Sequence, residues 1–73
     1  MYEVHVETTR MLRRREVEAL TGLSRSTIYE WIRASRFPRP IVLGARMVRW
    51  QQQDIEQWIK DRIAEQAALA GGR

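Results

Sequence analysis

The sequence predicts one small, mainly α-helical domain that also contains a short β-hairpin. Three features carry this prediction. Apolar residues recur with helical spacing in three stretches, a glycine-containing turn separates the first two, and two apolar runs joined by a tight turn precede the third. A chain of 73 residues buries only about 60% of its unfolded surface, so the core is small. This size excludes a barrel, a two-domain cleft or a doubly wound enzyme fold.

Residues 1–10 precede the domain, which we expect to cover residues 11–70. Apolar and polar side chains alternate in this segment, with Tyr2, Val4 and Val6 on one side of an extended chain. A period of two predicts an N-terminal arm, or a short strand that needs a pairing partner elsewhere in the protein.

The first helix is predicted over residues 13–21. Leu12 and Val17 are spaced like a hydrophobic staple, and Leu20 is a further candidate for the core. Gly22 ends the helix, because glycine adopts the left-handed conformation of a helix C-terminus without strain.

The second helix is predicted over residues 25–35, with Ser24 as its N-cap. Pro38 and Pro40 prevent it from continuing, since proline lacks the N–H group that a helix requires. Two short helices that meet at a glycine–leucine–serine turn are typical of a helix-turn-helix. The inward stripe of the second helix consists of Ile28, Trp31 and Ile32.

A β-hairpin is predicted over residues 41–50, with its turn at Gly44-Ala45, and a third helix over residues 52–68. A hairpin that follows a helix-turn-helix forms a wing, so the predicted fold class is a winged helix-turn-helix. Trp50 should face inward, and all three tryptophans are assigned to one core. The apolar stripe of the third helix consists of Ile55, Trp58, Ile59 and Ile63.

Positive charge is concentrated in the middle of the chain. Thirteen basic residues oppose nine acidic residues, which gives a net charge of +4. Residues 11–50 hold nine arginines and three glutamates, a net +6, whereas each flanking segment carries a net −1. Clustered arginine is typical of a surface that faces a polyanion, and the alternative is a solvated arginine-rich surface without a partner.

The predicted binding residues lie on the second helix, on the hairpin and at the start of the first helix. The polar face of the second helix suits a major groove, where hydroxyls and helix amides hold phosphate and arginines read guanine. The hairpin can lie along the backbone or in the minor groove. The recognition-helix residues are Ser24, Arg25, Ser26, Thr27, Tyr29, Glu30 and Arg33; the wing and flanking residues are Arg36, Arg39, Arg46 and Arg49; the DNA-backbone residues are Arg13 and Arg14.

Two runs, LRRREV at residues 12–17 and LTGLSRSTIY at residues 20–29, are followed by FP at 37–38, VRW at 48–50 and WI at 58–59. In order and spacing the sequence resembles the AlpA-type regulators, small phage and prophage proteins in the MerR-like winged-helix group, which also contains excisionases. The resemblance implies a DNA-binding transcriptional regulator or recombination directionality factor. It also implies that the second helix enters the major groove and that the hairpin acts as a wing.

Two residues depart from the expected pattern. Glu18 stands where a helix-turn-helix often has a small residue, and Arg14 stands where an apolar residue is common in the family. We expect either that the Glu18 side chain reaches solvent or that the two helices sit slightly apart. Arg14 is expected to add a phosphate contact.

Several classes of function are excluded by composition. The chain has no cysteine, which excludes a disulfide framework, a zinc finger and a thiol nucleophile. His5 is the single histidine and no glycine-rich phosphate loop is present, so we expect no catalytic residue, no metal and no cofactor, and the protein is not an enzyme. Without a membrane span or a signal peptide, the expected location is the cytoplasm, in association with the nucleoid.

The expected partners are double-stranded DNA, further copies of the chain on adjacent sites, and an integrase or RNA polymerase. One module reads few base pairs, so several copies are needed, with contacts from the N-terminal arm or from the end of the third helix around residues 63–69. The alternative is a protein-interaction module whose basic face docks an acidic partner. RNA binding is a weaker alternative, because the aromatic residues are not arranged for base stacking.

Overall fold

A computed structural model describes residues 10–71 of the protein. The predicted winged helix-turn-helix, mainly helical with one antiparallel hairpin, is confirmed. The predicted arm lies outside the described residues, apart from Arg10. In chain order the elements are β1 (Met11–Leu12), α1 (Arg14–Thr21), α2 (Arg25–Arg33), β2 (Ile41–Gly44), β3 (Met47–Gln51) and α3 (Gln52–Gly71).

The strands form a three-stranded antiparallel sheet in the order β1–β3–β2. Met11 pairs with Gln51 and Leu12 pairs with Trp50, so the start of the domain closes onto the end of the hairpin. The sequence pattern does not predict β1, because two residues are too few to show a period of two.

The wing consists of β2, β3 and the turn between them. Its register shifts between Val42 and Gly44, which makes Leu43 an extra residue in β2. The turn residues are Ala45 and Arg46, one position later than predicted. As a result, Arg46 lies at the tip of the wing.

The second helix is shorter than predicted and the third is longer. α2 ends at Arg33 because Ser35 adopts the left-handed conformation, with φ 59°, and the backbone N–H of Arg36 donates to the carbonyl of Trp31 at 2.7 Å. This turn ends the helix before the prolines are reached. α3 continues past the predicted end at residue 68 to Gly71.

The core lies between α1, α2, the sheet and the first half of α3. Leu12 and Val17 are both buried, which confirms the hydrophobic staple. The indole N–H of Trp50 donates to the carbonyl of Pro38 at 2.9 Å, so this buried ring also has its polar atom satisfied. The fully buried apolar residues are Leu12, Val17, Ile28, Phe37, Trp50 and Ile55.

The three tryptophans belong to one core, as predicted, although only Trp50 is completely enclosed. Trp31 and Trp58 are half-buried, with ring centroids 6.1 Å apart. Phe37 meets Trp58 edge to face at 4.9 Å. This aromatic cluster packs α3 against the end of α2 and the segment that follows it.

Two apolar residues predicted to be inward are largely exposed. Leu20 is 52% exposed, because it lies in the last turn of α1 and the half-buried Leu23 packs against the core instead. Ile63 is 63% exposed, because α3 projects beyond the sheet and every residue from 60 to 70 is exposed. Within residues 10–71, no helix combines the length and the apolar character that crossing a bilayer requires.

Candidate nucleic-acid interface

The turn between α1 and α2 has the geometry that its sequence predicts. Gly22 adopts φ 75°, and its backbone N–H donates to the carbonyl of Glu18 at 2.7 Å, which closes the end of α1. The hydroxyl of Ser24 accepts a hydrogen bond from the backbone N–H of Thr27 at 3.2 Å and therefore caps α2. The two helices thus meet across the three residues between Thr21 and Arg25.

Two of the hydroxyls predicted to contact a partner, those of Ser24 and Thr27, form hydrogen bonds within the protein at the start of α2. Besides the cap, the Ser24 hydroxyl lies 3.0 Å from that of Thr27. A helix leaves its first N–H groups without intrahelical acceptors, so backbone donors remain at this end. The Ser24 hydroxyl therefore satisfies one of these donors, the N–H of Thr27, within the protein.

The outward face of α2 is exposed at most of the predicted positions. Ser26, Glu30 and Arg33 are exposed, and so is Arg25. Tyr29 differs, because it is half-buried and packs against the core. The guanidinium of Arg25 lies 6.0 Å from the Tyr29 ring centroid, so Tyr29 forms the edge of this face.

A pocket of about 290 Å³ lies between the start of α1 and the wing. It joins four arginines that the sequence pattern assigns separately to backbone and wing contacts. It also includes Arg15, which is not among the predicted contact residues, although the run of three consecutive arginines is a signal for it. The lining residues are Arg13, Arg14, Arg15, Arg46, Val48 and Arg49.

Arg36 and Arg39 lie outside this pocket. The guanidinium of Arg36 lies 5.2 Å from the ring centroid of Trp31, and its carbonyl accepts the indole N–H of Trp58 at 2.9 Å. Arg36 therefore takes part in holding α3 against the end of α2. Arg39 is exposed on the segment that leads into β2.

The two departures from the expected pattern are explained by a single contact. The Nε of Arg14 donates to the carboxylate of Glu18 at 3.0 Å, one turn apart on α1, and each side chain is 31% exposed. Glu18 is therefore not forced between the helices, because it lies at the surface and pairs with Arg14.

Glu16 organises the start of α1. Its carboxylate accepts the backbone N–H of Arg13 at 2.8 Å and a guanidinium N–H of Arg10 at 2.9 Å. The hydrogen bond from Arg13 is the main cause that lowers the pKa of Glu16, and the charge of Arg10 adds to it. The ionised carboxylate thus caps the helix that carries the arginine run.

Most arginines of the basic segment lack an acidic partner among residues 10–71. No ion pair there involves an arginine of α2 or of the wing. Within this described part of the chain, no group of three histidine, cysteine or carboxylate side chains could hold a metal ion either. The pairs that do form are Arg10–Glu16, Arg14–Glu18 and Arg62–Glu65.

The fold and this face together define a winged helix-turn-helix protein with a strongly basic surface. The chain belongs to the AlpA family, since residues 10–63 match the family model described as prophage CP4-57 regulatory protein (AlpA). This match confirms the resemblance that the sequence runs indicate.

Two relatives show the similarity in more detail. The protein ORF88 of Enterobacteria phage P4 is 49% identical over 55 residues, covering 75% of this chain and 62% of that protein. The DNA-binding transcriptional activator AlpA of Escherichia coli (strain K12) is 34% identical over 59 residues, covering 73% of this chain and 84% of that protein. The chain thus spans less than two thirds of the length of the phage P4 relative.

Proposed function

We propose that this protein binds double-stranded DNA at specific sequences and regulates transcription for a phage or mobile element. The observation that carries the proposal is the exposed polar face of α2, which has no acidic partner for Arg25 or Arg33 within residues 10–71. The family supports it, as does the relative whose name is DNA-binding transcriptional activator.

The recognition helix of the proposal is α2, lying in the major groove. Arg33 is suited to bind the O6 and N7 atoms of guanine, and Glu30 is suited to accept from the amino group of cytosine. Ser24, Arg25 and Thr27 hold a phosphate near the helix N-terminus. Ser26 adds a polar contact to the same groove, and Tyr29 borders it.

The wing and its neighbours supply the contacts that do not depend on base sequence. Arg46 and Arg49 follow the backbone or enter the minor groove, where a narrow groove has enhanced negative potential. Arg36 and Arg39 extend this basic track on the segment before β2. Arg13 and Arg14 contact the backbone from the start of α1.

The same DNA contacts serve a transcriptional regulator and an excisionase, and only the position of the site differs between the two roles. Both roles are non-catalytic and need no metal or cofactor. The proposed location is the cytoplasm, on the nucleoid. An integrase would be the partner in one role and RNA polymerase in the other.

Several copies are proposed to bind adjacent sites. A single module buries about 600–1,000 Å² on DNA, too little to select one site in a genome. The distal part of α3 offers a surface for contact between copies, because Ile63 and Leu69 are 63% and 74% exposed. A titration on duplexes with one, two and three sites would show constant affinity per site if copies do not cooperate.

The specificity of the proposed complex is tested by Arg33→Ala. Affinity for a site selected from random duplexes should fall by about 1–3 kcal/mol, and discrimination at one base pair should relax. Lys60→Ala removes the same charge from the exposed surface of α3 and should leave binding unchanged.

Two results would contradict the proposal. Equal binding to selected and scrambled duplexes would remove the sequence specificity. Binding to an acidic protein but to no duplex would favour the interaction-module alternative. If Arg33→Ala lowers the affinity for scrambled DNA as much as for the selected site, Arg33 contacts a phosphate and does not read a base.

A further inference from the structure

The pocket between α1 and the wing brings together arginines that are far apart in the chain. Arg13, the residue before α1, lines it together with Arg14 and Arg15 of α1, and Arg46 and Arg49 line it from the wing. Like charges that are gathered in a concave site repel one another, and field lines concentrate there. An anion in the pocket would relieve this repulsion.

The carboxylates closest in sequence neutralise the pocket only in part. Glu16 is held by Arg10 and by the backbone of Arg13, and Glu18 is paired with Arg14. Within residues 10–71, no ion pair involves Arg15 or Arg46. In the described part of the protein, Arg15, Arg46 and Arg49 therefore have no ion-pair partner, whereas Arg14 is paired with Glu18.

The five arginines divide into two groups. Arg14 and Arg49 are half-buried and already donate, to the Glu18 carboxylate at 3.0 Å and to the Val48 carbonyl at 2.8 Å, so they form the wall. Arg13, Arg15 and Arg46 are exposed at the rim. Guanidinium groups that line one pocket from two sides can offer several N–H donors to the oxygens of a tetrahedral oxyanion.

We propose that this pocket is the binding site of a single phosphate group, which α1 contacts from one side and the wing contacts from the other. The phosphate belongs to the backbone of duplex DNA, and this source rests on the proposed function. The pocket therefore does more than add charge, because it fixes the position of the wing relative to the helix-turn-helix. Arg15 becomes a phosphate contact equal in weight to Arg46.

The first test uses inorganic phosphate and the protein without DNA. Thermal unfolding is followed in phosphate and in chloride at equal ionic strength, for the wild type, Arg15→Ala, Arg46→Ala and the control Lys60→Ala. Phosphate stabilises proteins in general, so the informative quantity is the difference between variants. The extra stabilisation should persist in Lys60→Ala and be lost in both arginine variants, and equal stabilisation of all four proteins would overturn the proposal.

The second test uses the salt dependence of duplex binding. Each phosphate contact contributes about one unit to the slope of log affinity against log salt. If Arg15 and Arg46 share one phosphate, the double variant lowers the slope by about one unit in total, because only one phosphate loses its contacts. A loss of about two units in the double variant would mean two separate phosphates and would overturn the single binding site.

The two tests separate this proposal from the proposed function. If phosphate stabilises the wild type through these arginines but no duplex binds, the pocket stands as a site for a phosphate-bearing solute and the DNA-binding function fails. If duplex DNA binds but phosphate stabilises all variants equally, the function stands and the pocket proposal fails.

Discussion

The arginines of α2 and the wing differ from the single arginine of α3 in what they contact. On α3, Arg62 donates to Glu65 at 2.6 Å, and its guanidinium lies 5.2 Å from the Trp58 ring centroid. On α2 and the wing, Arg33 and Arg46 have no ion pair within residues 10–71. Arg62 is thus paired with a carboxylate, whereas Arg33 and Arg46 have no acidic partner in the described part of the chain.

The spacing of residues along α3 explains why its polar side chains pair with one another. Its polar side chains are placed three or four residues apart, where helix geometry brings them into contact. Gln57 donates to Asp61 at 2.9 Å, and Gln52 donates to Glu56 at 2.7 Å. α2 has one carboxylate, Glu30, among its arginines. The comparison teaches that the arrangement of charge, more than its total, distinguishes the proposed binding face from α3.

The largest expected effect is a loss of stability on substitution in the core beneath the basic face, compared with the distal part of α3. Trp50→Ala should lower the free energy of unfolding by about 3–5 kcal/mol, because it empties the centre of the core and removes the hydrogen bond to Pro38. A domain this small should then be largely unfolded. Ile63→Ala, on exposed α3, should change it by less than about 0.5 kcal/mol. Urea unfolding of both variants provides the measurement, and equal losses would contradict the difference between the two regions.

A smaller effect is expected at the turn between α1 and α2. Gly22→Ala should cost about 1–2 kcal/mol, because φ 75° is unfavourable for alanine although nothing lies within 4 Å of the added Cβ. The matched control is Gly44→Ala in the wing, where the added Cβ meets Met47 at an ordinary 3.7 Å. Chemical denaturation should show a loss in the first variant only, and a comparable loss in both would argue against backbone strain as the cause.

The difference between the two sets of arginines is tested directly by a pair of charge deletions. Arg39→Ala, on the basic track before the wing, should lower the salt slope of DNA binding by about one unit. Arg62→Ala should leave the slope unchanged, because Arg62 is engaged by Glu65 and Trp58. Fluorescence titrations over a range of salt concentrations give both slopes, and a smaller slope in Arg62→Ala would extend the binding face onto α3.

The smallest effect concerns the cap of α1. The folded pKa of Glu16 is lowered, first by the Arg13 N–H and then by Arg10, so its stabilisation is present above the ordinary pKa and is lost as pH falls through the folded pKa. Glu16→Gln should therefore be less stable than the wild type near neutral pH. The difference in the free energy of unfolding between the two proteins should disappear in acid. Denaturation at several pH values measures this difference, and a difference that is independent of pH would contradict the prediction.

The sequence predicts the local elements well because each depends on neighbouring residues. Gly22, Ser24 and the staple of Leu12 on Val17 are local signals, and the structure confirms them. The arginine pocket could not be predicted, because Arg15 and Arg46 line the same space only through the packing of the wing against α1. The prediction that Leu20 lies in the core is wrong for a similar reason. Helical spacing does not show where along a helix the contacts with the rest of the protein end.

The pairing of β1 with β3 has a consequence for how the domain folds. The backbone N–H of Gln52 donates to the carbonyl of Arg10 at 2.7 Å, directly beside the Met11–Gln51 pair. This pairing joins the two ends of the segment that contains α1, α2 and the wing, so the segment is closed only when β1 and β3 are both present. A fragment that ends before β3 would leave Leu12 without Trp50. Folding should therefore be a single cooperative step in which loop closure is completed together with the core.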